Sequence, residues 1–389
     1  MSRIDDLIAE LCPDGVPYKP LGEVGVFARG NGLQKSDLTD EGLPAVHYGQ
    51  VHTYYGVSTD TTKSFTTPNL YARLRHAKPG DLIIATTSED TEAVGKATAW
   101  IGEGEVAVSG DAYVFSHSME SKFVSYFFNS RSFHEQKLRF VTGAKVRRIS
   151  GDAMAKIIIP VPPLEVQREI VRVLDQFTQL EAELEAELEA RRRQFEYVRH
   201  RHLAFESSVP TVSLGEIALV QTGQPISKKT IEDSPGPYPV INSGRDPLGF
   251  YSRWNVDDDP IGITSRGAGV GSVTWCPGRY YRGNLNYSVS VRDERFVDSR
   301  FLYFSLRHLQ AEIQKLCSFQ GIPALNRGNL VKLRLPMPDL GRQLEIADAL
   351  NMFETLTSDL FVGLPAELAA RRKQYEYYRD KLLKFERVA

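Results

Sequence analysis

The chain has 389 residues, of which 42% are hydrophobic and 25% charged, and its formal net charge is −2. This composition excludes a disordered chain, and the length favours more than one domain. A net charge near zero gives no overall attraction to nucleic acid, so any nucleic-acid surface has to be a local basic patch. The three cysteines are widely spaced and form no C-x-x-C pair. They argue against a disulfide framework or a zinc site and favour a reducing cytoplasm.

The N-terminal stretch "MSRIDDLIAELCPDG" carries acidic residues inside its apolar part, so it does not fit a signal peptide. We expect a short helical segment over residues 1–20. The longest apolar runs, such as "KIIIPVPPL", are too short to span a bilayer. The sequence therefore predicts no membrane association.

The chain contains an internal repeat. "KIIIPVPPLEVQREIVRVLDQF" at 156–177 matches "KLRLPMPDLGRQLEIADALNMF" at 332–353, and "LGEV" at 21–24 matches "LGEI" at 214–217. Further along, "ELEARRRQFEYVRHRHLAFE" is answered by "ELAARRKQYEYYRDKLLKFE" at 367–386. Because the matches keep the same order in both halves, they indicate a two-fold duplication.

Each half begins with a variable region and ends with a long helix. Residues 21–160 and 207–337 hold short apolar runs between Gly, Pro, Asn and Asp, a pattern typical of strands and turns. Residues 161–206 and 338–389 have helical periodicity, and the apolar positions recur at intervals of seven. Such stripes on two long helices predict that the helices pack on each other, most simply antiparallel. Pro365 lies inside the second helical region and should kink or restart it.

The first helical region contains a tandem four-residue unit, "LEAELEAELEA", which starts at Leu180. One interpretation is a solvated surface helix. The other is an element that sets the length of the helix, because four residues add about 6 Å and rotate the apolar stripe by only about 40°. The position of the unit between two variable regions favours the second interpretation.

Motifs for chemistry are missing from the sequence. "SRGAGVGSVTW" has Ser272 in place of the last glycine of a dinucleotide fingerprint, and "VGKAT" lacks the remainder of a P-loop. "VPPL" at 161–164 lacks the amide or acid and the aromatic residue of the amino-methyltransferase signature. We therefore expect neither a catalytic site nor a metal site in this chain.

Basic and amide side chains recur in loops of both variable regions, where they suit base edges and phosphates. The segment "QKLRFVTGAKVRRIS" and its counterpart in the second half are free of acidic residues. Solvated faces are the alternative interpretation of such clusters. The candidate DNA-binding residues are Gln34, Lys35, Lys145, Arg147, Arg148, Gln224, Lys228, Lys229, Arg245, Arg266 and Arg327. His47 and His52 could also contact DNA, although ordinary surface histidines are the simpler interpretation.

Two variable domains, each ending in P-x-P-x-x-x-x-Q-x-E-I and a long helix, resemble the specificity subunit of type I restriction-modification enzymes. The resemblance extends from Leu21 to Glu386. It implies an α+β fold in which two mixed α/β target-recognition domains are separated by two long antiparallel helices that form a coiled coil with a pseudo-two-fold repeat. Gly363 and Pro365 depart from the pattern and put a straight second helix in doubt.

The resemblance also implies a function. Such a subunit is not catalytic and binds no cofactor. It reads a bipartite target in double-stranded DNA and recruits two methyltransferase subunits, which bind S-adenosylmethionine. Two restriction subunits, which use Mg and ATP, join through them. Candidate methyltransferase-docking residues on the helices are Arg192, Phe195, Tyr197, Arg372, Tyr375 and Tyr378, for which plain helix packing is the alternative.

Three alternatives stay open at this point. The chain could be a methyltransferase with its own recognition domain, although it lacks the expected motifs. It could be a coiled-coil adaptor that never touches DNA, or an orphan or inactive specificity subunit.

Overall fold

The computed structural model describes residues 3–244, 246–358 and 363–388. Contacts divide the chain into two compact units. The first comprises residues 1–184 and 368–389, and the second comprises residues 185–367. Each unit therefore combines one variable region with part of each long helical region.

The first unit contains two main sheets and several short helices. Its strands are β1 Tyr18–Pro20, β2 Gly25–Arg29, β3 Leu43–Val46, β4 Ser58–Thr59, β5 Ser64–Thr66, β6 Arg75–Ala77, β7 Leu82–Ala85, β8 Thr87–Ser88, β9 Lys96–Trp100, β10 Val106–Val108, β11 Ala112–His117, β12 Arg147–Arg148 and β13 Ile158–Pro160. Its short helices are α1 Arg3–Leu11, α2 Leu21–Val24, α3 Tyr48–Thr53, α4 Pro68–Tyr71, α5 Ser121–Phe128, α6 Arg131–Lys137 and α7 Gly151–Met154.

The five-stranded sheet of this unit has the order β2-β11-β7-β9-β4, and the four-stranded sheet has the order β5-β3-β10-β6. In the second sheet β3 and β10 run parallel, although about 60 residues separate them. The strands β7, β9 and β10 are almost fully buried. Their runs of apolar residues therefore form the core, as expected for strands that are covered on both faces.

The second unit repeats this plan with fewer strands. Its strands are β14 Thr211–Ser213, β15 Ala218–Thr222, β16 Pro235–Ile241, β17 Phe250–Tyr251, β18 Ile261–Thr264, β19 Val273–Trp275, β20 Tyr281–Arg282, β21 Asn286–Val291, β22 Cys317–Ser318, β23 Ala324–Leu325 and β24 Arg334–Pro336. Its helices within the variable region are α9 Leu214–Ile217, α10 Lys228–Asp233, α11 Ser299–His308, α12 Gln310–Lys315 and α13 Arg327–Leu330. The order β15-β21-β18-β19 matches β2-β11-β7-β9, and β16 and β20 run parallel as β3 and β10 do. The predicted internal repeat is thus present in the fold.

The long helices are α8 Leu164–Leu203, α14 Leu340–Ser358 and α15 Leu364–Leu382. The first lies within the helical region predicted at residues 161–206. In the second helical region α15 begins one residue before Pro365, which agrees with the restart that the sequence predicted there. A proline is well tolerated in a first helical turn because its missing N–H has no partner there anyway.

Helix α15 packs antiparallel against the beginning of α8 within the first unit. The rings of Phe177 and Tyr378 stack with centroids 5.4 Å apart. Four residues further along α8, Glu181 accepts a hydrogen bond of 2.6 Å from Arg372, which precedes Tyr378 in the chain. The order of the partners is reversed between the two helices, so the antiparallel prediction is confirmed for this pair.

The glutamine of the repeated motif ties each long helix to its variable region. The Gln343 side chain is fully buried; its amide donates to the carbonyls of Pro338 and Phe296 at 2.8 and 3.0 Å, and its oxygen accepts from the Asp298 N–H at 2.9 Å. In the first unit, Gln167 donates to the Pro162 carbonyl and accepts from the Glu120 N–H in the same way. Each glutamine thus satisfies backbone groups that would otherwise be buried without partners.

The Gln343→Leu variant should destabilise the second unit by about 2 kcal/mol, because buried backbone groups lose their partners. For a unit of this size, that corresponds to about 4–8 °C in the melting temperature measured by calorimetry. The Gln194→Leu variant is the matched control, since Gln194 is exposed on α8 in the same unit. Equal melting temperatures for the two variants would contradict this role of Gln343.

Candidate nucleic-acid interface

A polar cleft of about 530 Å³ opens where β2 ends in the first unit. Three segments meet there: the loop after β2, the start of α3 and the turn between β10 and β11. The lining residues are Arg29, Gly30, Asn31, Gly32, Leu33, Gln34, Lys35, His47, Tyr48, Ser109, Gly110 and Asp111. The cleft therefore contains two of the residues predicted to bind DNA, Gln34 and Lys35.

Glycine is required at the base of this cleft. A Cβ atom at Gly30 would lie 2.1 Å from the carbonyl oxygen of Ser109, which is far inside van der Waals contact. The next residue, Asn31, donates from its side chain to the Arg73 carbonyl at 3.0 Å and accepts from the Arg75 N–H at 2.5 Å. The loop after β2 is thus held on both sides, which gives the cleft a fixed wall.

His47 brings a neutral imidazole to the cleft. It is the N-cap of α3, and its Nδ1 accepts a hydrogen bond of 3.2 Å from the Gly49 N–H. Burial is the main cause that lowers the pKa of His47, and Lys35 lowers it further while Asp111 raises it. Because Nδ1 accepts, the neutral ring carries its proton on Nε2, which is then the donor that His47 can offer to a ligand.

The charged groups of the cleft lie nearer to solvent than His47. Arg29 donates from Nε to the Gly110 carbonyl at 2.9 Å, and its Nη2 lies 3.7 Å from the Asp111 carboxylate. Lys35 is exposed at the start of a short 3-10 turn, Lys35–Asp37. The cleft therefore combines exposed donors with one carboxylate, a combination that suits a polar ligand with several acceptors.

The predicted basic segment of the first unit forms a tight turn. Thr142 and Arg148 bond to each other's backbone at 2.9 Å, and β12 pairs with β8. Lys145 and Arg148 are exposed, while Arg147 is partly buried and donates to the Gly143 carbonyl at 2.5 Å. These three candidates thus share one hairpin, separate in the chain from the cleft.

Lys137, which belongs to the same predicted basic cluster, is buried. Its ammonium donates to the carbonyls of Glu92 and Val94 at 2.6 and 2.7 Å, and burial lowers its pKa to about 8. The prediction of a basic face that includes Lys137 is therefore wrong, because this side chain closes a loop of the domain. His52 likewise bonds to the Thr87 carbonyl at 2.9 Å and is not an ordinary surface histidine.

The candidates of the second unit are spread over several loops. Gln224 is exposed, and its N–H donates to the Arg282 carbonyl at 3.0 Å. Lys228 and Lys229 are exposed in the first turn of α10, and Arg266 is exposed beside Ala324. Arg327 begins α13 and donates to the Val220 carbonyl at 3.4 Å. Arg245 lies outside the described residues.

The hairpin between β22 and β23 of the second unit carries two exposed apolar side chains that the sequence did not indicate. Phe319 and Ile322 are 64% and 69% exposed between β22 and β23. Their hairpin corresponds to the basic turn of the first unit, because Arg266 bridges Ala324 as Thr87 bridges Arg148. The chemical character of this turn thus differs completely between the two halves, and no pattern in the sequence indicated its exposure.

Among the helix candidates Phe195 is buried, Tyr375 is partly buried, and the other four are exposed. Phe195 is 3% exposed in the core of the second unit, where its ring faces Phe304, so its burial removes it from any docking surface. Arg372, Tyr375 and Tyr378 contact the rest of the first unit; Tyr375 lies near Tyr126, and burial raises its pKa to about 12. Their positions fit the helix-packing alternative. Tyr197 is 64% exposed, and Arg192 is exposed as well.

Within the described residues, no group of three His, Cys, Asp or Glu side chains is placed to hold a metal ion. The three cysteines are free. None of the described helices has both the length and the apolar character that crossing a bilayer requires.

A family model described as the type I restriction modification DNA specificity domain matches the chain twice, at residues 13–190 and 206–370. The chain belongs to this family. The family predicted from the repeated helix motifs is therefore confirmed, and the two matches follow the two halves of the repeat.

Individual relatives agree with this assignment. A Haemophilus influenzae protein whose name places it among type I restriction enzyme specificity subunits is 28% identical over 95% of this chain and 96% of its own length. The EcoR124I/EcoR124II specificity subunit of Escherichia coli is 30% identical over 61% of this chain and 65% of its own length.

Solved structures share the fold. The S subunit of the type I restriction-modification system from M. genitalium has a TM-score of 0.62 at 15% identity and covers 95% of this chain and 96% of its own. A chain from a study of complex assembly in the type I R-M system has a TM-score of 0.59 at 18% identity, covering 95% of this chain and 98% of its own. The predicted α+β fold of specificity subunits is thus confirmed.

Proposed function

We propose that this protein is the DNA-reading, non-catalytic subunit of a type I restriction-modification enzyme. Residues 21–160 and 207–337 are the two target-recognition domains, and each reads one half of a bipartite target in double-stranded DNA. The observation that carries the proposal is the double match to the DNA specificity domain on a fold that is itself repeated. Two similar readers suit a duplex, whose strands are related by two-fold axes.

The contacts with DNA are proposed to fall into two classes. Exposed cations, among them Lys145, Arg148 and Lys228, would hold phosphates and fix the position of the domains on the duplex. The polar cleft of the first domain would read bases, because it groups donors and an acceptor in one recess.

The partners follow from the same proposal. Two methyltransferase subunits, which carry S-adenosylmethionine, would dock on the helical regions, and two restriction subunits would join through them. Arg192 and Tyr197 are the docking candidates that stay exposed on α8. We place the assembly in the cytoplasm, where the host's DNA is methylated.

The test is a methylation map of a host genome in cells that express this chain with its cognate methyltransferase. We expect one bipartite motif, with two short defined half-sites and an undefined spacer. A coiled-coil adaptor or an inactive subunit would produce no such motif. The absence of a bipartite methylated motif would therefore refute the proposal. S-adenosylmethionine binding by the isolated chain in calorimetry would instead support the methyltransferase alternative.

A further inference from the structure

The backbone frame of the polar cleft recurs in the second domain. Gly30 donates its N–H to the Ala112 carbonyl at 2.9 Å, and Gly223 donates to the Asn286 carbonyl at 3.2 Å. A Cβ atom at Gly223 would lie 2.3 Å from the carbonyl oxygen of Gly283, much as one at Gly30 would collide with Ser109. Both domains thus fix the loop that leaves this strand by the same close approach.

The same correspondence extends to the parallel strand pair that forms the back of the cleft. Ser109 donates its N–H to the Val46 carbonyl at 3.1 Å, and Gly283 donates to the Ile241 carbonyl at 2.8 Å. The residues that follow those two acceptors are therefore equivalent. They are His47 in the first domain and Asn242 in the second.

The two domains differ in the side chains that this shared frame presents. His47 lines an open cleft with its Nε2–H available, whereas Asn242 is 8% exposed and its side-chain oxygen accepts from the Leu285 N–H at 2.9 Å. Asp111 of the first domain corresponds to Leu285 of the second, because Thr86 and Ser265 donate equivalent backbone bonds to these two residues. The two domains therefore share a backbone arrangement but differ in its polar side chains, as two domains that recognise different DNA sequences require.

The donors of the first cleft determine which base it suits. His47 supplies an Nε2–H from a rigid position, because its Nδ1 is bound in the helix cap. Lys35 supplies an ammonium at the rim of the same cleft. Guanine presents two acceptors, O6 and N7, on its major-groove edge, whereas adenine presents one acceptor and one donor, thymine one acceptor, and cytosine only a donor.

From this arrangement we infer that the cleft takes the edge of a guanine in the half-site of the first domain, with His47 as a specificity-determining residue and Lys35 as its companion donor. Asp111 suits the cytosine of the same base pair, because a carboxylate accepts only from donors such as the cytosine amino group. This inference rests on the proposed function and names the side chains that recognise one base pair of the first half-site.

The structure offers a matched variant for the test. His47→Asn keeps an N-cap acceptor for the Gly49 N–H, since asparagine is among the best N-cap residues, and removes the Nε2 donor. The variant also installs the residue that the second domain has at the equivalent position. His134→Asn, on α6 of the same domain and outside the cleft, is the control for the change of residue type.

Full-length variants would be assembled with the methyltransferase subunit, and methylation rates measured on duplexes in which each base pair of the mapped target is changed in turn. We expect His47→Asn to lower the preference for one G·C pair by about tenfold or more, with all positions of the other half-site unchanged. His134→Asn should keep the wild-type preferences.

Three results would overturn the inference. A first half-site without a G·C pair would remove the proposed ligand. Unchanged preferences in His47→Asn would exclude base reading by His47, and an equal loss of rate on every duplex would indicate a phosphate contact. Failure of the proposed function is distinguishable from all three, because the wild-type complex would then give no bipartite target at all.

Discussion

Replacing Arg282 by methionine is expected to unfold part of the second domain locally and to cost about 3–5 kcal/mol, the range for removing one partner of a buried charged network. Arg282 is 2% exposed and lies at the end of β20. Its guanidinium donates to the carbonyls of Ile261, Tyr287 and Asp259 at 2.9, 2.8 and 2.5 Å. It therefore joins β18, β20 and β21 from the inside of the domain.

The loss should exceed that of an apolar deletion of the same size. The methionine side chain fills most of the volume but supplies no donor, so three carbonyls in the interior each lose a hydrogen bond. The Asp259 carboxylate, 3.5 Å from the guanidinium, would also lose its counter-charge. Tyr280 cannot replace the lost donors, because its hydroxyl already donates to the Asp259 carbonyl at 2.7 Å.

Amide hydrogen exchange is the appropriate measurement, since it reports the opening of individual strands. In Arg282→Met, amides of β18 and β21 should exchange at least 100-fold faster, while β7 and β11 of the first domain serve as an internal reference. Arg295→Met is the control, because Arg295 is exposed and its pair with Asp293 lies at the surface. If Arg282→Met and Arg295→Met gave the same protection in β18, the buried network would not stabilise this domain.

The repeat and its helices could be predicted from the sequence because both depend on local or recurring signals. The apolar periodicity predicted a helix within residues 161–206, where the structure has α8, and Pro365 predicted the restart that the structure has at Leu364. The motif glutamines were recognised as a pattern. Their role as links between helix and domain required the structure, since Gln343 and Asp298 are 45 residues apart.

The burial of individual cations could not be predicted. Lys137 belongs to the predicted basic segment and Arg282 was not singled out from the sequence, yet both side chains donate to carbonyls in the interior. Long basic side chains can bury their stems and still reach an acceptor, so sequence alone does not fix their position. The prediction was consequently wrong for Lys137, which is buried, whereas Lys145 is exposed and its contact with DNA stays a prediction.

The cleft was beyond sequence analysis for a topological reason. His47 and Asp111 are brought to one recess by the parallel pairing of β3 and β10, for which the sequence gives no local signal. Gln34 and Lys35 were found because loop composition alone indicated them. The equivalence of His47 and Asn242 follows from the backbone bonds of the two domains.

Deleting Leu184–Glu187 should keep both half-sites and shorten only the spacer of the target. The four residues are one copy of the tandem unit, and they lie within the continuous helix α8, where contacts also divide the two units. Removing them shortens a helix by about 6 Å and turns it by about 40°. At about 3.4 Å per base pair, the spacer should change by one or two base pairs.

The matched variant inserts one further Leu-Glu-Ala-Glu copy after Glu187 and should lengthen the spacer by the same amount. Neither change touches the polar cleft or any candidate base contact, so the half-site sequences should be constant across the series. The exposed pair of Glu187 and Arg191 has a substitute in the deletion, because Glu183 then stands four residues before Arg191. Methylation mapping of the three chains separates the possibilities: a spacer that does not follow the number of copies would refute the length-setting role, and a changed half-site would mean that α8 takes part in base recognition.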